Sequence, residues 1–278
     1  MDLALTGKRA LVTGSTGGIG EGIAKTIARE GAVVVVQGRN ESAGRRVQQE
    51  TEAAGGKAAV AIGDLSADDG AKRVVDKSVA ECGAIEILVN NAGAYELRGW
   101  ADATPQEWLD TFNQDVLSMV RMIRLLVPQM KPLGWGRIIQ LSSVVGVQPL
   151  AAQPHYSAAK AAVINMTVSL AKELANSGIT VNTVTPGPIM TAGWVEWARG
   201  IASARGWGDD LAQIEHRVVQ EILPNSVGRV GRVDDIASAV AFLVSPLAGF
   251  INGANLRVDG GSAQSVNWDE LAMPSQQG

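Results

Sequence analysis

A chain of 278 residues can close a sizeable core as one large α/β domain or two small ones, and no Pro-, Ser- or charge-rich stretch marks a linker, so one domain spanning 1–278 is the simpler expectation. The composition, 46% hydrophobic and 19% charged, excludes a disordered chain, and a net charge of −4 offers no electrostatic attraction to nucleic acid. The single cysteine, Cys82, excludes an intramolecular disulfide, suits a reducing compartment and reads as a small buried hydrophobe rather than a nucleophile.

The opening Met-Asp-Leu-Ala-Leu-Thr-Gly-Lys has neither the basic start nor the apolar run of a secretory signal, and no stretch of about 18 apolar residues follows, so a cytoplasmic protein without a membrane partner is expected. Residues 9–13 read as a strand, followed by the turn Thr13-Gly14-Ser15-Thr16-Gly17-Gly18-Ile19-Gly20 and a helix over 19–30 with apolar Ile19, Ile23 and Ile27 on one face. Residues 32–37 contain four consecutive valines, the pattern of a strand buried on both faces of a parallel sheet. Similar runs occupy 58–62, 87–90, 137–141, 180–185 and 255–258. Thr104-Pro105-Gln106-Glu107 carries an N-cap threonine, a proline at the first helical position and a glutamate three residues on, so a helix begins there through a capping box. About seven strands alternating with about six helices predict an α/β fold, a single doubly wound parallel sheet with right-handed crossovers.

Two patterns carry chemistry. Gly14, Gly18 and Gly20 lie where a strand gives way to a helix, so the backbone can approach a pyrophosphate and the helix N-terminus can offer it free N–H groups. Tyr156 and Lys160 stand four apart on a helical pattern and share a face. An ammonium beside a phenol stabilises the phenolate, whose free acid titrates at ~10, and makes tyrosine a usable proton donor and acceptor. Ser143, after the strand at 137–141, is placed to hydrogen-bond an oxygen that gains charge, with Ser142 as its rival. No His/Cys/Asp cluster has metal-ligand spacing, and none is expected to hold a metal.

Thr13-Gly14-x-x-x-Gly18-Ile19-Gly20, Asn90-Asn91-Ala92-Gly93, Ser143, Tyr156-x-x-x-Lys160 and Pro186-Gly187 follow one another in the order and spacing of the short-chain dehydrogenase/reductase family, which the chain resembles from about residue 5 to 262. The resemblance implies a Rossmann-like fold and hydride transfer between a nicotinamide cofactor and a ketone or secondary alcohol. It implies Ser143, Tyr156 and Lys160 as the reacting groups, and Ser143 rather than Ser142 by its spacing from the tyrosine. It places Gly14, Ser15, Thr16, Gly18, Ile19 and Gly20 against the cofactor, Asp64 and Leu65 at its adenine, and Asn91, Tyr156, Lys160, Pro186, Gly187 and Ile189 along the rest. The second strand ends Gln37-Gly38-Arg39-Asn40 with no carboxylate before Glu41, and Arg39 can pair with a 2′-phosphate, so NADP(H) is expected in preference to NAD(H).

One position departs from the family. Asp115 stands where relatives carry an asparagine that helps hold a water beside the lysine. Aspartate loses the amide donors and adds charge. Asp115 serves through its backbone carbonyl, or Asn113 takes the part in another helix register, or proton delivery slows.

Residues 191–223 are expected to form an irregular lid over the substrate. They hold Trp194, Trp197 and Trp207, whose rings favour an apolar or ring-bearing substrate unless they merely pack the lid. Gln148, Leu150, Gln153 and His155 are placed to border the same pocket, His155 as a wall. Trp268, Leu271 and Met273 in the tail at 263–278 are expected to pack on a neighbouring subunit, in keeping with the family's homotetramers. Two alternatives stand beside the ketone reductase. One is a 3-oxoacyl-[acyl-carrier-protein] reductase, for which the mixed lid charges (Glu196, Asp209, Asp210 and Glu215 against Arg199 and Arg205) give no basic landing site. The other is a dinucleotide-binding sensor without catalysis.

Overall fold

A computed structural model describes residues 2–94 and 96–263 of the chain. Seven strands form one parallel sheet in the order β3-β2-β1-β4-β5-β6-β7. They are β1 (Arg9–Val12), β2 (Val33–Gly38), β3 (Lys57–Ile62), β4 (Ile87–Asn90), β5 (Gly136–Leu141), β6 (Ile179–Pro186) and β7 (Asn255–Val258). Each expected strand is present, with ends shifted by no more than a residue. The valine run lies where both-face burial puts it, with Val34, Val35 and Val36 fully enclosed. β5 and β6 are buried along their whole lengths, whereas β7, an outer strand, exposes Asn255, Leu256 and Arg257.

Helices cover both faces, as parallel strands require. On one face α1 (Gly18–Arg29) and α9 (Val233–Val244) bury Ile23, Ile27, Ile236 and Val240 against alternate strand residues. On the other, α3 (Asp68–Cys82) and α5 (Ser118–Met130) bury Val74, Met122 and Leu126. α2 (Glu41–Ala53) and α6 (Pro154–Glu173) complete the crossovers. Cys82 is half-buried at the end of α3, where burial pushes its thiol up, as befits a packing residue.

Two regions differ from the sequence expectation. The helix opened by Thr104 runs as α4 (Pro105–Phe112), then a single π-helical turn (Asn113–Leu117), then α5. Such a turn inserts one residue into the helical ladder and re-aims the side chains in it. The segment expected to be an irregular lid is instead two helices, α7 (Ala192–Arg205) and α8 (Leu211–Glu221). Trp194, Ala198 and Ala202 recur at four-residue spacing on α7, as do Ile214 and Val218 on α8, and together they form a small core of their own. The tail from 264 onward, including Trp268, Leu271 and Met273, lies outside the described residues.

The capping box is complete: Glu107 N donates to Thr104 Oγ1 at 3.3 Å, and Thr104 N donates to Glu107 Oε2 at 2.8 Å. Thr104→Ala should cost about 1 kcal/mol of stability, seen as a lower denaturation midpoint at unchanged m-value.

Candidate active site

The turn after β1 is built to bring backbone close to backbone. Gly14 has φ +62°, and a Cβ there would lie 2.8 Å from Ala92 Cα. A Cβ on Gly20 would collide with Asn91 Nδ2 and the Gly14 carbonyl. Around these glycines the polar side chains at the strand ends are occupied. Thr13 Oγ1 accepts from Asn91 N at 2.9 Å and Ala92 N at 3.0 Å, while Asn91 Nδ2 donates to the Thr13 and Gly14 carbonyls at 3.0 Å each. Asn91 thus pins the end of β4 to the turn after β1.

Ser15, expected at the cofactor, is fully buried. Its hydroxyl donates to Val12 O at 2.6 Å and accepts from Gln37 N at 3.0 Å, so the side chain braces the turn from behind. Gln37 carries a role that the sequence reading missed. Its Oε1 accepts from Gly14 N at 3.0 Å and its Nε2 donates to Gly63 O at 2.8 Å, tying three strand ends together. The one signal for it was a polar residue closing an all-valine strand.

A groove runs from this turn over the ends of β2 and β3, lined by Gly14, Thr16, Gln37, Arg39, Asp64 and Leu65. Gly18 and Gly20 begin α1, whose N-cap Gly17 supplies no side-chain cap, leaving the first-turn N–H groups to an external acceptor. Arg39 is exposed and, among the described residues, makes no hydrogen bond or ion pair. Asp64 is held below the usual carboxylate range, chiefly by hydrogen bonds from Ser66 N at 2.9 Å and Ser66 Oγ at 2.8 Å. Closely approached backbone, uncapped helix N–H groups and a free guanidinium suit a dinucleotide with an extra phosphate.

Next to the groove, sharing Gly93 and Ala94 as walls, lies a cavity of about 110 Å³ bordered by Ile19, Asn91, Asp115, Ser142, Tyr156, Lys160 and Pro186. α6 presents Tyr156 and Lys160 on one face, with the ammonium 5.4 Å from the centre of the phenol ring. Lys160 is 4% exposed and Asp115 0%, and Lys160 Nζ stands 2.9 Å from Asp115 Oδ1 and 3.2 Å from Leu141 O. Burial pulls the lysine down, yet the charges of Asp115 and Tyr156 and the bond to Asp115 outweigh it, so Lys160 stays above its ordinary value. The π turn delivers Asp115 here. Asn113 is excluded from that place because its amide nitrogen donates to Ser66 O at 3.1 Å.

The two serines are held differently. Ser142 borders the cavity, but its hydroxyl is spent in a 2.8 Å bond to the backbone carbonyl of Lys160. Ser143, half-buried, caps the short 3₁₀ turn Val144–Gly146, accepting a long 3.4 Å bond from Val145 N. Gly187 is explained by packing, since a Cβ there would lie 2.8 Å from Asp259 Cα. Ile189, expected at the cofactor, is buried and bridges to Gly231, bordering a separate cavity with Arg229 and Arg257.

The tryptophans of the segment expected to be a lid are absorbed by packing. Trp194 is buried within the α7–α8 core, Trp197 packs beside it, and the Trp207 ring lies under Arg205 and Arg217. Glu215 anchors α8 to the chain before α9, accepting from Arg232 at 2.7 and 2.9 Å and from Val230 N at 2.9 Å. A separate aromatic row joins Trp100, Trp108 and buried His155, the residue before Tyr156, with ring centres 5.6 and 6.1 Å apart. Trp100 is 70% exposed. No group of three or more metal-ligating side chains occurs among the described residues, and none of their helices is long and apolar enough to cross a membrane.

A doubly wound parallel sheet with a glycine turn at its switch point and a tyrosine–lysine helix beside it defines a dinucleotide-dependent oxidoreductase fold. Residues 8–201 match the family model described as short chain dehydrogenase. An "uncharacterized oxidoreductase" of Bacillus subtilis, YvrD, is 38% identical over 96% of this chain and 100% of its own. The 3-oxoacyl-[acyl-carrier-protein] reductase of Vibrio harveyi is 36% identical over 92% of this chain and 98% of its own. Among solved structures, L-sorbose reductase from Gluconobacter frateurii, complexed with NADPH and L-sorbose, superposes with a TM-score of 0.90 at 32% identity, covering 96% of this chain and 100% of that one. The protein belongs to the short-chain dehydrogenase/reductase family and is an oxidoreductase.

Gln37→Leu keeps the volume but leaves Gly14 N and Gly63 O without their partners. It should lower stability by about 1–3 kcal/mol, measured by urea denaturation, and weaken dinucleotide binding measured by calorimetry.

Proposed function

We propose that this protein interconverts a ketone and a secondary alcohol with NADP(H), using Ser143, Tyr156 and Lys160. The observation that carries the reading is the pairing of Tyr156 and Lys160 in a small cavity that shares Gly93 and Ala94 with the groove behind the glycine turn. When bound, the reduced nicotinamide supplies a hydride to the carbonyl carbon. Tyr156 gives its phenolic proton to the carbonyl oxygen, and the Lys160 ammonium stabilises the phenolate that remains. The Ser143 hydroxyl donates to the same oxygen as charge develops there, a part that Ser142 is too committed to play. In oxidation each step reverses, with the phenolate accepting the alcohol proton. Gly14, Thr16, Gly18, Ile19 and Gly20 would hold the pyrophosphate side of the dinucleotide, Arg39 its 2′-phosphate, and Asp64 and Leu65 its adenine, while Asn91, Pro186 and Gly187 would shape the backbone around the rest.

The NADPH complex of L-sorbose reductase supports the cofactor. An apolar or ring-bearing substrate is supported by the aromatic row Trp100, Trp108 and His155, which runs up to the residue before Tyr156, rather than by the tryptophans of α7 and the turn after it. The similarity to the Vibrio harveyi enzyme favours a second reading, reduction of a 3-oxoacyl thioester. A cytoplasmic homotetramer completes the proposal. Exposed Leu109, Leu117 and Val168 on the helices around α4 to α6, with Leu247, Phe250 and Leu256 near β7, offer apolar side chains for subunit contact. Light scattering should give four times the chain mass, and a monomer would remove that part of the reading.

The activity test follows NADPH oxidation with cyclic, aromatic and acyl-thioester ketones. Tyr156→Phe should lower kcat by roughly 10²–10⁴, Ser143→Ala by roughly 10²–10³, and Arg39→Ala should cost about ten- to a hundredfold in kcat/KM with NADPH but little with NADH. Turnover restricted to thioesters would select the second reading. Cofactor binding without turnover of any ketone would favour a sensor.

A further inference from the structure

We propose that Asp115 is a positioning residue that neutralises Lys160 and thereby keeps Tyr156 protonated at neutral pH, loading the site as a proton donor. The inference rests on the proposed role of Tyr156 in the reaction and concerns what sets its protonation.

The geometry commits the carboxylate chiefly to the lysine. Asp115 is fully buried and its Oδ1 stands 2.9 Å from Lys160 Nζ. Its second oxygen is 3.5 Å from Ala94 N, a distant contact. A Cβ on Gly93 would collide with Oδ1, so the glycine lets the chain close over the carboxylate and hold it against the lysine. The π turn sets the register, and Asn113, the amide that could have stood in, is tied to Ser66.

The charges around the pair are few. α6 contributes Lys160 and Tyr156, and the π turn contributes Asp115. The neighbouring walls contribute Asn91, Gly93 and Ala94 after β4, Leu141 and Ser142 after β5, Ile19 on α1 and Pro186 on β6, none of them charged. Among the described residues that line the cavity, Asp115 is therefore the one carboxylate against Lys160. A lone buried ammonium would favour the phenolate strongly, because at short range in a poorly hydrated site charge is weakly screened. With the carboxylate in contact, the pair carries no net charge, and the phenol feels a dipole instead of a cation. Two of the three ammonium N–H groups already face Asp115 and the Leu141 carbonyl, which fixes the lysine beside the ring without committing it to a phenolate. An amide at position 115 would keep the positioning and restore the net charge.

The sequence holds two tyrosines, Tyr95 and Tyr156, so a Tyr95→Phe background leaves Tyr156 as the sole tyrosine. In that protein, labelled with tyrosine carrying ¹³C at Cζ, the NMR shift of the ring carbon reports phenol ionisation directly, with neither substrate nor cofactor present. Tyr156 should titrate close to the ordinary phenol value of about 10. With Asp115→Asn added, the midpoint should fall by about one pH unit or more, a tenfold rise in phenolate at a given pH. The alkaline rise of kcat/KM for alcohol oxidation should move down by the same amount.

Coincident midpoints with and without the Asp115→Asn substitution, or a Tyr156 that already ionises near neutral pH with Asp115 in place, overturn the proposal. The second result needs no folded variant at position 115. Failure of the catalytic reading looks different: the titrations behave as described while Tyr156→Phe turns over normally.

Discussion

The chain winds outward from β1 through β2 to β3, returns across the sheet to β4, and continues through β5, β6 and β7 in the other direction. Right-handed crossovers in both halves force the connections after β1 and β4 to opposite faces, and a crevice opens between them at the carboxyl ends of the strands. The groups proposed to hold the cofactor, and Ser143, hang from that edge, and α6 brings Tyr156 and Lys160 to it. The glycine turn follows β1, Arg39 follows β2, Asp64 follows β3, Asn91 follows β4, Ser143 follows β5 and Gly187 follows β6. Strand ends are rigid because their interiors are buried and paired, so groups on them inherit positions that loops alone could not hold.

The same crevice creates a problem of unsatisfied backbone. Where the two connections diverge, the ladder stops while the chain is still partly buried, and its N–H and C=O groups need other partners. Thr13, Ser15, Gln37 and Asn91 are those partners, each joining two or more strand ends. A hydrogen bond of this kind contributes only about 1 kcal/mol net, but leaving a buried group unpaired costs more, so the polar floor is held mainly by the penalty of losing it. The glycines are needed for a related reason, since any side chain at Gly14 or Gly20 would push these bonded segments apart.

Charge is used in two regimes. The exposed network of Glu21, Lys25, Arg46 and Glu50 joins α1 to α2, and its members are well enough solvated that each pair contributes at most about 1 kcal/mol. The pair Lys160–Asp115 is enclosed, and removing either partner from such a pair costs about 3–5 kcal/mol because the other is left charged in a dry site. Electrostatics therefore contributes little to joining the surface helices and a great deal to the arrangement inside the cavity. The pair α7 and α8 follows neither rule. It carries its own apolar core and meets the body partly through the Glu215–Arg232 pair, so it is built as a unit rather than as a loop.

Local pattern and order along the chain already determined the strands, the glycine turn, the capping box at Thr104 and the shared face of Tyr156 and Lys160, because these depend on side-chain period and short-range sterics. The family resemblance added which of those groups should meet. Three features depended on the tertiary structure. The helices α7 and α8 were hidden because small residues and tryptophans on α7 acquire an apolar face only once α8 packs against them. The bracing roles of Ser15 and Gln37 follow from which strand ends become neighbours, and strand order is a property of the whole sheet. The choice between Asp115 and Asn113 turned on one π turn, a change of register that comes from packing around Ser66, Gly93 and Lys160 and leaves no periodic trace in the residues themselves.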